Sequence, residues 1–81
     1  MDNSKTERAL TSLNDGESGR IVSISGGKNV TKRLADLGLK AGTMITVVRK
    51  TLFAGPVQIK VCGSMLVLGH GLASKIIVGI K

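Results

Sequence analysis

Aromatic side chains are nearly missing from this sequence: Phe53 stands alone, with no Trp and no Tyr in 81 residues. That shortage removes the stacking platforms on which proteins hold unpaired bases. It also means that any core must be assembled from Val, Ile and Leu, two of which favour strands. Cysteine is equally scarce. With Cys62 as the one thiol, no intramolecular disulfide can form, and a reducing compartment is expected. Nothing near the N-terminus joins a basic segment to an apolar stretch, the pattern of a secretory signal, so the expected location is the cytoplasm. The apolar runs, such as residues 65–68 and 76–78, are far shorter than the roughly 20 residues a membrane-spanning helix requires.

Acidic residues are few as well: 5 Asp and Glu face 12 Lys and Arg, for a net charge of +7. Such a charge attracts polyanions or acidic protein and lipid surfaces through its long-range field. The basic residues are spread along the chain, with Lys32-Arg33 and Arg49-Lys50 as the paired ones, which equally describes a solvated surface keeping a small apolar domain in solution.

The hydrophobic content of 42% over 81 residues supports one core, because a chain of this length buries only about 60% of its unfolded surface. Residues 1–9 carry little apolar rhythm and read as a flexible tail, with the domain running from Leu10 to the end, 10–81. After turn chemistry at Asn14-Asp15-Gly16, residues 20–24 place Val22 and Ile24 on one face of a strand. From Val30 the spacing changes. Val30, Leu34 and Leu37 fall at i, i+4 and i+7, predicting a short helix over about 30–37, with Asn29 or Thr31 as its cap and Gly38 in the left-handed position after its last turn.

Strand patterning resumes at residues 44–50, with Ile45 and Val47 inward, and again at 57–62, where Val57, Ile59 and Val61 alternate with Gln58, Lys60 and Cys62. Parity turns Cys62 toward solvent. Residues 65–68 form a further strand, 70–75 a helical turn, and Ile76, Val78 and Ile80 a last strand. The expected fold class is all-β: a small, closed or nearly closed barrel of five or six strands, with the helix over one opening.

The chemical inventory for an enzyme is thin. Asp15 and Glu17 lie in a turn, Asp36 on the polar side of the helix, and Asp2 and Glu7 in the tail. Cys62 and His70 are the weak candidates for a nucleophile with its base, or for two ligands of iron or zinc. No CxxC, HxxH or HExxH spacing supplies the further ligands that a tetrahedral site needs. The expectation is therefore no catalysis and no resident cofactor. Gly26-Gly27-Lys28 and Gly69-His70-Gly71 lack the remainder of the phosphate-loop patterns and read as turns.

Taken in order, Leu10, Leu13, Gly16, residues 19–27, then Arg33-Leu34-Ala35-Asp36-Leu37-Gly38-Leu39 and Ala41-Gly42-Thr43 resemble the first half of the FeoA family of ferrous iron uptake proteins. Gly55-Pro56-Val57, Ile59, Val61, Gly63, Leu66, Leu68, Ala73, Ile76 and Val78 are similar to its second half. Two departures stand out: His70, where such sequences often carry Arg, Lys or another polar residue, and Ala41, where Pro is common. The resemblance implies a Src-homology-3-like barrel, also found in some metal-dependent transcription regulators. It further implies a non-catalytic accessory that docks on the cytoplasmic part of the membrane transporter FeoB and modulates it. On that reading the contact is apolar, and Leu52 and Phe53, before Gly55-Pro56, are the candidate docking residues. The alternative for Phe53 is that it folds back to plug the barrel. The alternative for the protein is a basic small-barrel module that binds nucleic acid or acts in metal-dependent transcription regulation.

Overall fold

The computed structural model describes residues 7–51 and 55–79. Six strands form one antiparallel sheet: β1 (Glu7–Ala9), β2 (Ser18–Ile24), β3 (Met44–Lys50), β4 (Val57–Val61), β5 (Ser64–Leu68) and β6 (Ile76–Gly79). Two helices interrupt them, α1 (Gly27–Asp36) between β2 and β3 and α2 (His70–Ala73) between β5 and β6. The strand order is β1-β6-β2-β3-β4-β5, so β1 and β5 are the two edges.

Alternation builds the core. Ile45 and Val47 of β3, Val57, Ile59 and Val61 of β4, and Ile76 and Val78 of β6 are all buried, and they meet in one cluster with Ile21, Leu34, Leu39, Leu68 and Ala73. Residues from strands so far apart in the sheet can share one cluster only if the sheet curls around it. Two bulges help it do so. The ladder slips at Val22 against β6 and at Val48 against β4, and an extra residue at such a point bends its strand and increases its twist. Leu10 and Leu13, flanking a single 3-10 turn, are fully buried in the same cluster.

Three details depart from sequence expectation. Val22, expected inward, is the bulged residue and is 41% exposed, while its neighbour Ile21 is buried; strict parity cannot anticipate an inserted residue. Residues 7–9, assigned to the tail, form β1 and pair with β6, since a ladder is made by backbone groups and needs no apolar rhythm. The helix begins at Gly27, without a side-chain cap at either Asn29 or Thr31. Thr31 instead bonds back to the Gly27 carbonyl, its hydroxyl donating at 2.9 Å. Ile80 lies outside the described residues.

The end of α1 explains the most specific stretch of the sequence. Gly38 adopts φ +88°, the Leu39 N–H donates to the Leu34 carbonyl, and the Gly38 N–H donates to that of Ala35, each at 2.8 Å. This is the Schellman arrangement, in which a left-handed glycine satisfies the last helical carbonyls and the following residue turns back to pack on the helix. Leu39 is that residue. Leu34 and Leu39 are buried whereas Leu37, assigned by periodicity to the apolar stripe, is 46% exposed, because the helix stops one residue before it.

Candidate functional site

The charged groups with fixed partners are engaged in holding the scaffold. Asp15 Oδ1 accepts the Lys50 backbone N–H at 3.0 Å, tying the turn before β2 to the end of β3. Glu17 Oε1 accepts the Asn14 N–H at 2.7 Å, closing the same turn. Lys50 is half-buried and its Nζ donates to the Thr11 carbonyl at 3.0 Å. Among the described residues, no three His, Cys, Asp or Glu side chains come close enough to share a metal ion. No described helix is long and apolar enough to cross a membrane.

Cys62 and His70 are both exposed, but β5 separates them. Cys62 sits in the turn that leads into β5, and His70 opens α2 after β5 has ended. The four steps from Ser64 to Leu68 cover about 13 Å at about 3.3 Å per residue, so the fold sets the two side chains at opposite ends of that strand instead of pairing them. Cys62 instead serves the turn: with φ +50° it precedes Gly63 at φ +82°, the paired positive values of a type I′ hairpin. Leu52 and Phe53 lie outside the described residues. On either side of them, the Thr51 N–H donates to the Pro56 carbonyl at 3.2 Å.

What the fold does present is a surface built by the β4–β5 hairpin. Met65 is 50% exposed and Val67 64% exposed, on the outer face of an edge strand. Across the ladder, Met65 stands opposite Lys60 and Val67 opposite Gln58, which in turn faces Arg49 on β3. The surface therefore combines two uncovered aliphatic side chains with two cations. The sequence predicts residues 65–68 as one apolar strand and does not distinguish its faces. The signal was present in the composition, because a strand apolar at every position must expose half of itself unless both faces are covered.

Comparison with known proteins decides the family. Residues 8–79 match the FeoA domain. The chain belongs to the FeoA family. A Methanocaldococcus jannaschii protein whose name describes an Fe(2+) transport protein A is 35% identical over 69 residues, which are 85% of this chain and 82% of that one. The crystal structure of an iron uptake regulatory protein, FeoA, superposes with a TM-score of 0.81 at 33% identity, over 89% of this chain and 93% of that one. The solution structure of FeoA from Chlorobium tepidum superposes with a TM-score of 0.80 at 29% identity, over 90% of this chain and 70% of that one. A manganese-dependent transcriptional repressor shares the fold at a TM-score of 0.84, with 24% identity over 93% of this chain but only 42% of its own length.

FeoA proteins are small, non-catalytic accessories of ferrous iron transport, and the chain is one of them. The Src-homology-3-like barrel expected from the resemblance is the fold observed, as a six-stranded sheet with its short helix. In this FeoA chain, β1 and β5 are not joined by a ladder among the described residues, so the barrel is open along one seam.

Proposed function

We propose that this FeoA chain acts in the cytoplasm, docking on the cytoplasmic part of the membrane transporter FeoB and modulating ferrous iron uptake through that contact. The observation that carries the reading is the match to the FeoA domain across residues 8–79, in a fold whose exposed surface offers apolar and basic groups and no cluster of metal ligands among the described residues. An accessory without chemistry of its own acts by binding. Leu52 and Phe53 are proposed as contact residues, since the sequence places two consecutive apolar residues between β3 and β4, and apolar residues left uncovered mark interaction surfaces.

The test is recovery of the transporter's soluble domain on tagged FeoA chain, with the nucleotide site of the transporter empty, diphosphate-loaded and triphosphate-loaded. Recovery in at least one state, lost in Phe53→Ala while the thermal midpoint holds, is expected. Failure in all three, or a Phe53→Ala effect on stability alone, overturns the proposal.

The charge distribution favours one second reading. All five acidic residues lie within the first 36 positions, and everything from Leu37 onward is either basic or uncharged. A polyanion such as DNA or RNA would bind such a surface with steep salt dependence, losing orders of magnitude in affinity between about 50 and 200 mM salt. Docking through apolar contacts changes far less over that range, so a salt titration separates the two. The likeness to the manganese-dependent repressor adds no weight to the second reading, because 24% identity speaks for the fold alone.

A further inference from the structure

The two edges of the sheet are treated differently. An edge strand exposes unpaired N–H and C=O groups, and natural sheets blunt it with brevity, charge, proline or a bulge. β1 has three residues, two of them Glu7 and Arg8. β5 has five, Ser-Met-Leu-Val-Leu, paired to β4 without a slip and carrying no charge, no proline and no bulge. One edge is protected and, among the described residues, the other is left open.

The hairpin fixes which backbone groups face outward. In a two-residue type I′ hairpin the residues flanking the turn exchange both hydrogen bonds, and bonded and non-bonded pairs then alternate along the ladder. Val61 and Ser64 flank the Cys62-Gly63 turn, so Ile59 with Leu66 and Val57 with Leu68 are the further bonded pairs. Met65 and Val67 fall between them. Their N–H and C=O groups point away from β4, and no backbone partner takes them among the described residues. The same two residues carry the exposed aliphatic side chains. Backbone hydrogen bonding and apolar surface coincide at two alternate positions, the arrangement by which a sheet accepts an added strand.

We infer that the β5 edge receives an extended, acidic segment of a partner protein as a seventh strand, paired to the backbone of Met65 and Val67. Charge selects the occupant. Lys60 lies opposite Met65 on the outer face, and β3 through β6 contain no Asp or Glu. A residue paired with Met65 would stand two strand spacings, about 9.6 Å, from Lys60, a span that a lysine and a glutamate side chain bridge together when each extends toward the other across Met65. A carboxylate there meets a cation, while an aliphatic side chain beside Val67 covers it. A second copy of this chain would instead bring another Lys60 and a second +7 charge to the same edge. The inference names a binding mode and a chemistry, and stands whether or not the partner is the transporter.

The test uses the full chain, labelled with nitrogen-15, and three capped peptides of about ten residues in which Thr fills every second position and the positions between alternate Val with Glu, Gln or Lys, so that one face offers Val and the variable residue two positions apart. Amide shifts and hydrogen exchange are read for each. The Glu peptide is expected to slow exchange at Met65 and Val67 about tenfold and to bind about tenfold more tightly than the Gln peptide, with the Lys peptide inert. Val67→Pro removes an N–H that the β4 ladder does not use and should abolish protection. Val67→Asp leaves the backbone intact and should weaken the Glu peptide about tenfold by repulsion. The inference is overturned if no peptide protects Met65 and Val67, if the shifts map to another face, or if the Lys peptide binds as well as the Glu peptide. It is equally overturned if those amides are already protected without peptide. Protection that rises with protein concentration would assign the edge to a second copy, and protection independent of concentration to this chain's own residues.

Discussion

Two glycines in this fold are required for opposite reasons, and substituting each with the same pair of residues separates the reasons. Gly38 holds φ +88° at the end of α1, and a Cβ built there meets nothing within 4 Å. Its requirement is conformational. Placing an L-residue in the left-handed region costs about 1–2 kcal/mol, and alanine returns about 0.4–1 kcal/mol by restricting the unfolded chain. Gly38→Ala should therefore cost about 1 kcal/mol, which for a domain of this size lowers the thermal midpoint by about 4–8 °C. Asparagine tolerates the left-handed region, so Gly38→Asn should cost less than Gly38→Ala. Gly19 has no such backbone demand. A Cβ there would sit 3.1 Å from the Gly79 carbonyl oxygen and 3.1 Å from Val78 Cβ, both fixed in the β2–β6 ladder. Gly19→Ala should cost about 1–3 kcal/mol through overpacking, and Gly19→Asn more. Far-ultraviolet circular dichroism is the appropriate assay, because a chain without Trp or Tyr gives little fluorescence on unfolding. The reasoning fails if the order of Ala and Asn is the same at both positions.

Ile59 is fully buried at the centre of β4; Ile59→Ala should cost about 2–5 kcal/mol, a large part of the roughly 4–12 kcal/mol expected for a domain of this size, and its urea midpoint should fall accordingly. Asp15→Ala removes the acceptor of the Lys50 N–H and should cost about 1 kcal/mol, whereas Asp15→Asn keeps an acceptor oxygen and most of the stability; equal losses in denaturant titrations would refute the assignment. Cys62→Asn supplies the residue most suited to the first position of a type I′ turn and should raise stability by about 0.5 kcal/mol, read as a higher thermal midpoint.

How legible the structure was depends on whether a residue's role is set locally or by its neighbours in the sheet. The strand over residues 44–50 was readable to its ends because Ile45 and Val47 alternate with polar or outward positions. The strand expected over 57–62 was readable but for its last residue: Pro56 and Gly63 bracket an unbroken alternation, and Cys62 belongs to the turn. Gly38 could be placed from its position after a helical stripe. The bulges at Val22 and Val48 could not, since each is defined by the register of a partner strand distant in sequence. The same holds for β1, a ladder of three residues with no pattern of its own, and for the openness of β5, which rests on no other strand covering it among the described residues. Cys62 and His70 are a weak pair on sequence grounds, because the strand at 65–68 is expected between them, and the fold places them at its two ends.

The residues that identify the family and the residues that can bind a partner are therefore largely different sets. Leu34, Gly38 and Leu39, at the centre of the most specific stretch, stop a helix and return the chain to the core. Val57, Ile59 and Val61 fill the interior. Substituting any of them would be felt as lost stability before it was felt as lost recognition. Met65 and Val67 belong to no such pattern, contribute little to the core, and yet present both unpaired backbone and uncovered side chains. A scaffold recognised through its buried residues fixes where an edge will lie, and the exposed residues on that edge decide what it accepts. For this FeoA chain, variants at Met65, Val67 and Lys60 should alter partner binding at nearly constant thermal midpoint, whereas variants in the family-specific stretch should alter both together.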